Sequence, residues 1–281
     1  MSPCLYKILE NTDNCLMNLE NYGLHNAARD NRVDVTSSLL RGGTDVNIRD
    51  KYGNTPLHSA AFCNSSDVAE ILIKAGSDVN LTDEINRTPL HVSAFSNSPE
   101  IAERLLKFNA DTTIKDAVGF TPFQTAIVRD SLEVVKLLLG HFEDVNVSEG
   151  DNHNIIHFAV SENSIESIKL LLQSGFDINH KDENGLSPLH VAVNKNSVEI
   201  GKLLLDNNSD PNPTDKNNLS PLHWSAINNS VDITKLLLEY GADVTIKDKL
   251  GRTPLAVAKF YNSSDILPIL SQWTDVHRKP D

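Results

Sequence analysis

The tetrapeptide Thr55-Pro56-Leu57-His58 recurs as Thr88-Pro89-Leu90-His91, Ser187-Pro188-Leu189-His190 and Ser220-Pro221-Leu222-His223. Looser copies are Thr121-Pro122-Phe123-Gln124, Asn154-Ile155-Ile156-His157 and Thr253-Pro254-Leu255-Ala256. Successive copies start at residues 55, 88, 121, 154, 187, 220 and 253, so every gap is 33 residues. Self-similarity at a fixed period of this length marks a repeat architecture. One unit cannot bury its own apolar face, so neighbours must stack.

Other features keep the same phase, and each has a physical reason. An acidic residue opens each unit: Asp50, Asp83, Asp116, Glu149, Asp182, Asp215 and Asp248. Three residues on stand Gly53, Asn86, Gly119, Asn152 and Asn218, types that tolerate positive φ in a tight turn. Pro after Thr or Ser suits the first turn of a helix, where its missing N–H is not needed, and the preceding hydroxyl can accept from an orphan backbone N–H. Small residues such as Ala60, Ala61, Ala126 and Ala192 let two helices approach closely. The first helix is expected to stop at Asn31, Asn64, Asn97, Asp130, Asn163, Asn196, Asn229 and Asn262, where a left-handed cap is needed. Ser65, Ser98, Ser131, Ser164, Ser197, Ser230 and Ser263 follow as candidate N-caps of a second helix. Acids such as Asp67, Glu100 and Glu133 then suit the positive end of its dipole. Aliphatic runs, for example Leu203-Leu204-Leu205, are buried by that helix, which ends at Gly43, Gly76, Gly175 or Gly241. Phe142 replaces this turn residue in one unit, and the next hairpin lacks Thr-Pro, so distortion is expected at residues 140–153.

The pattern resembles the ankyrin repeat, and the resemblance covers nearly the whole chain. It implies an all-α solenoid of stacked antiparallel helix pairs with β-hairpin-like loops at a 33-residue period. The corresponding organisation is an N-terminal extension over 1–16 and an N-terminal capping repeat over 17–49. Six full repeats follow over 50–247, then a C-terminal capping repeat and tail over 248–281. The resemblance also implies that hairpin tips and the exposed side of each first helix line a groove that holds partner proteins. Positions there include Lys51, Glu84, Val118, Lys216, Lys249, Leu250 and Arg252 on the tips, and Val128, Lys195, Ile227, Phe260 and Tyr261 on the helices. Within that set Tyr52, Phe62, Ile85, Phe95 and Phe120 are large and apolar, with Arg87 beside them; they are the candidate partner-binding residues. Trp224 follows the recurring His, a position that reads as core.

The implied function is a protein–protein interaction scaffold or adaptor, not an enzyme. The alternatives are an inhibitor that sequesters a signalling or transcription factor, and a stand-alone relative of the repeat region of a channel, toxin or membrane-skeleton protein. A modification is implied too. Asn47, Asn80, Asn146, Asn179 and Asn212 share one phase, each eight residues after a leucine. This looks like the ankyrin substrate pattern of the asparaginyl hydroxylase that also acts on hypoxia factors; a good turn sequence is the plainer account.

Composition narrows the partner. The 281 residues carry a formal charge of −13, which argues against nucleic acid or an anionic membrane as the main partner and mildly favours basic proteins. No run approaches the roughly 18–20 apolar residues needed to span a bilayer, and the start has no signal-peptide pattern, so membrane insertion and secretion are not expected. Cys4, Cys15 and Cys63 form neither a disulfide framework nor a metal pattern. A monomer in the cytoplasm, with the nucleus as an alternative, is the expectation. Six of the ten histidines, His25, His58, His91, His157, His190 and His223, repeat in phase and read as structural. His141, His153, His180 and His277 lack HExxH or HxH spacing, so neither a metal nor another cofactor is expected. Sequons such as Asn64-Ser65-Ser66 arise because the period places Asn just before Ser.

Overall fold

A computed structural model describes residues 23–141 and 154–276. The chain divides into two compact units, Met1–Leu137 and Leu138–Asp281. Among the described residues all regular structure is helical. The helix pairs are α1 (Leu24–Arg29) and α2 (Val33–Arg41), α3 (Pro56–Cys63) and α4 (Ser66–Lys74), α5 (Pro89–Phe95) and α6 (Pro99–Lys107), and α7 (Pro122–Val128) and α8 (Leu132–His141). Then come α9 (Ile155–Ser161) and α10 (Ile165–Gln173), α11 (Pro188–Asn194) and α12 (Val198–Asp206), α13 (Pro221–Asn228) and α14 (Val231–Glu239), and α15 (Pro254–Phe260) and α16 (Leu267–Val276). Within each unit a first helix packs on the first helix of the next repeat, as α3 on α5 and α11 on α13, and on the second helix of its own. This is the ankyrin solenoid.

The small residues Ala60, Ala61, Ala126 and Ala192 are wholly buried, and so are Leu57, Leu72, Leu105, Leu189 and Leu204. Each buried leucine contributes on the order of 1.5–3 kcal/mol, and the alanines set how closely the helices approach. Ile155 and Ile156 are buried in the repeat that lacks Thr-Pro, so apolar packing survives there. Its capping does not: Asn154 makes no side-chain cap bond, and His157 Nδ1 is buried without a partner. Phe142 and the rest of the loop expected to distort, residues 142–153, lie outside the described residues.

Asn31, Asn64, Asn97, Asp130, Asn163, Asn196, Asn229 and Asn262 all have positive φ, between 49° and 61°, as a left-handed helix end requires. The serines that follow need correcting. They stand at the N-cap, but Ser65, Ser164, Ser197 and Ser230 make no side-chain cap bond. Ser65 and Ser263 instead donate to carbonyls of the preceding repeat's first helix, Arg29 at 3.0 Å and Ala226 at 2.6 Å. In two repeats the preceding repeat's asparagine does the capping. Asn31 Oδ1 accepts from Val68 N–H at 3.2 Å, and Asn229 Oδ1 from Asp265 N–H at 3.2 Å. A ψ of 73° at Ser65 leads the chain into the helix while its hydroxyl turns back to the neighbour.

Candidate protein-interaction surface

Each finger between helix pairs is tied from its opening acid. Asp50 Oδ1 accepts the N–H of Tyr52 at 2.8 Å and of Asn54 at 2.9 Å; Asp83, Asp116, Asp215 and Asp248 do the same in their fingers. Adjacent fingers are joined through the main chain. Glu84 N–H donates to Tyr52 O at 3.0 Å and Ala117 N–H to Ile85 O at 2.9 Å in the first unit. Lys216 N–H donates to Asn184 O at 2.9 Å and Lys249 N–H to Asn217 O at 3.0 Å in the second.

The recurring histidines join the fingers to the helices. His58 Nδ1 accepts Thr55 N–H at 3.1 Å, which fixes the proton on Nε2, and that N–H reaches Arg87 O of the next repeat at 2.9 Å. His91, His190 and His223 repeat the arrangement with the carbonyls of Phe120, Leu219 and Arg252. Burial pushes His58 and His190 down to about 4 and also lowers His91, His157 and His223. Each Nε2 donates to a carbonyl of the next repeat and so holds repeats together. Among the described residues no three His, Cys, Asp or Glu side chains gather as a metal site would need, and no helix is long and apolar enough to cross a membrane. Cys63 is an exposed free thiol, and partial burial raises its pKa, so the thiolate is scarce at neutral pH.

The candidate binding residues separate into two groups. Tyr52 and Ile85 are exposed at finger tips and Phe62 is exposed at the end of α3. Phe95, one period on from Phe62, is half-buried at the end of α5, with the Arg129 guanidinium 4.2 Å from its ring centroid. The repeat adds two members that sequence reading did not place among the anchors. Val118 stands one period after Ile85 and is 70% exposed; Val128 stands one period after Phe95 and is also exposed. Counting in steps of 33 from Ile85 and Phe95 would have found both. Two apolar rows result in the first unit, Tyr52–Ile85–Val118 on the fingers and Phe62–Phe95–Val128 on the helix ends.

Arg87 and Phe120 belong elsewhere. They share one phase at the finger base, with Asn54, and their carbonyls receive the histidines. The Arg87 side chain is only 15% exposed and lies on Asp83, Nε at 2.8 Å and Nη2 at 2.7 Å from its carboxylate. That charge is neutralised inside its own finger. Phe120 is half-buried. Trp224 is not core: it is half-buried, and its indole N–H donates to Asp215 at 3.3 Å. An indole keeps its polar edge where a partner can be reached, and here the finger carboxylate supplies one.

A family model described as ankyrin repeats (3 copies) matches four times, over residues 1–83, 76–149, 141–215 and 189–279. The chain belongs to the ankyrin-repeat family, whose fold serves as a scaffold for protein–protein interaction. The crystal structure of the human ASB11 ankyrin repeat domain is similar at 25% identity with a TM-score of 0.63, covering 81% of this chain and all of that one. No curated protein matches the sequence. Since 567 chains of solved structures match, the fold by itself selects no partner, and the side chains on it must.

Proposed function

We propose that this protein is a scaffold or adaptor that holds a partner protein in the groove of its repeats, and that the two apolar rows of the first unit are its contact. The observation that carries this reading is the register. Large apolar side chains stand at the same two positions of three successive repeats, five of the six exposed and the sixth, Phe95, half-buried. A partner segment running across the fingers meets one apolar pair per repeat. The same reading makes it a cytoplasmic monomer, since an exposed free Cys63 is what a reducing compartment maintains.

The test is to change Phe62 and Phe95 together to Ala. Binding to a partner isolated by pull-down should weaken by a few kcal/mol, because aromatic anchors at interface centres are each typically worth ~2 kcal/mol or more. Folding should survive. Glu70→Ala with Lys74→Ala, a pair that bonds on the second helix, should leave binding unaltered. Unfolding of the Phe variant would make those rings core; unchanged binding by a folded variant would move the contact elsewhere.

Asn47, Asn80, Asn179 and Asn212 also remain our candidates for hydroxylation; Asn146 lies outside the described residues. Each half-buried amide oxygen accepts a backbone N–H of the next repeat: Asp78 at 3.0 Å, Asp111 at 2.8 Å, Asp210 at 2.9 Å and Asp243 at 2.7 Å. Those bonds favour the turn role, and the eight-residue spacing from a leucine favours the modification. Mass spectrometry of protein from its native source should find one added oxygen on at least one of them. An unmodified set would end the idea.

A further inference from the structure

We infer that the second unit carries a separate binding face, at the fingers and first-helix ends of its last two repeats, for an acidic protein segment bearing an aromatic or aliphatic anchor. The chain as a whole is acidic, at −13, but its charge is not evenly spread. Over the last finger and first helix, residues 247–261, Lys247, Lys249, Arg252 and Lys259 face one carboxylate, Asp248. Asp248 is buried, and its oxygens are taken by Arg252 and by the finger's own N–H groups. On the adjoining finger Asp215 is likewise buried, while Lys216 is exposed. Lys216, Lys247, Lys249 and Lys259 are all exposed and make no ion pair among the described residues; the exposed carboxylates of the same two fingers, Asp210 and Asp243, stand at their start, ahead of these cations, and each accepts its own turn's N–H, from Asn212 at 2.8 Å and Thr245 at 2.7 Å.

The apolar part is contiguous with that charge. Leu250 at the tip is 74% exposed and Phe260 67%, the first and third most exposed large hydrophobics among the described residues. Phe260 and Tyr261 meet edge to face at 5.2 Å, and the Arg252 guanidinium lies 5.2 Å from the Phe260 ring, linking finger to helix end. Lys249 is bonded through its N–H to Asn217 of the neighbouring finger, which keeps Lys216 and Lys249 on adjacent tips.

Charge complementarity selects the occupant. Salt screens beyond roughly 8 Å under physiological conditions, so an approaching segment feels these lysines more than the acids on distant helices. Complementary charge steers encounter and register, while the aromatic pair holds the complex. A long polyanion such as nucleic acid fits worse: it needs a cationic stripe of many phosphate contacts, and here Glu183 stands exposed in phase with Lys216 and Lys249, one and two repeats earlier. The face is distinct from the apolar rows of the first unit and does not depend on them.

Short random peptides displayed on phage, selected on the full chain and on its K249E/K259E variant, test this. The peptides recovered only on the unaltered chain should be net acidic with an aromatic or aliphatic residue. One of them, synthesised, should bind F260A/Y261A roughly tenfold more weakly or worse, bind K249R/K259R nearly as well as the unaltered chain, and bind F62A/F95A unchanged. All four variants change groups at exposed or half-buried surface positions, and circular dichroism checks that they fold. The inference fails if the lysine reversal loses no acidic peptide, or if F260A/Y261A binds as before. Loss in F62A/F95A alone would assign the peptide to the first unit and overturn the second face while leaving the first reading intact. A short single-stranded oligonucleotide that binds more tightly than the peptide, and is lost in K249E/K259E, would overturn it in favour of nucleic acid.

Discussion

Lowering the pH from 7 to about 4.5 is expected to strip several kcal/mol from the stability of this fold, through its buried histidines. The unfolded imidazole titrates near 6.5. In the folded chain His58 and His190 are pushed down to about 4, because burial penalises the charged form and outweighs the opposing bond to the next repeat's carbonyl. The native state therefore binds fewer protons than the unfolded state below 6.5. Stability is complete above 6.5, falls as the pH drops toward 4, and flattens below that. At pH 4.5 each of these two groups should contribute a loss of roughly 2–3 kcal/mol.

Geometry gives the same sign independently. Protonating Nδ1 of His58 would point an N–H at the N–H of Thr55 that it now accepts. Gln124 shows what can replace it: its Oε1 accepts Thr121 N–H at 2.9 Å in the same place and does not titrate. Urea unfolding of the chain and of H58Q/H190Q, compared from pH 7 to 4.5, should show a markedly shallower fall in the variant. Parallel pH profiles would mean that other groups govern the acid loss.

Gly53→Ala should cost about 2–5 kcal/mol, far more than the same change at Gly251. Both glycines have positive φ, +76° and +74°, a conformation that costs an L-residue on the order of 1–2 kcal/mol. Only Gly53 has a neighbour in the way. A Cβ there would lie 2.9 Å from the Glu84 nitrogen, the atom that bonds Tyr52 O, whereas a Cβ at Gly251 meets nothing within 4 Å. Backbone cannot swing aside like a side-chain tip, so the collision adds about 1–3 kcal/mol. Chemical denaturation of the two single variants measures the difference. Equal losses would show that the fingers are not held by that bond.

What the sequence made legible follows from which interactions have a fixed period. Helix ends at Asn31 through Asn262, the turn glycines and the buried alanines each depend on one residue's own conformational or steric limits, and these repeat visibly every 33 residues. Interactions between repeats were harder to read, because the partner is 29 to 37 residues away and no local rule names it. Ser65 looked like a cap and is a bond to Arg29 O; Asn31 looked like a helix stop and is also a cap for the next helix. Arg87 looked like a free charge because its neutralisation by Asp83 needs the finger to be closed. The cationic face around Lys249 was hidden by a net charge that averages over the whole chain. Tyr52, Phe62 and Ile85 were legible as exposed because their phase is that of the tips and helix ends, and Phe120 was misplaced among them because its phase is that of the base.

The ladder between fingers is made of amide nitrogens and carbonyl oxygens alone: Glu84 to Tyr52, Ala117 to Ile85, Lys216 to Asn184, Lys249 to Asn217. Any residue but proline can supply the nitrogen, whatever side chain it carries. The tip residues are thereby released from structural duty, and Tyr, Ile, Asn and Leu stand at one and the same station of different modules. Joinery and vocabulary are written in separate atoms. A new partner can be learned one side chain at a time, with no edit to the parts that keep the stack upright.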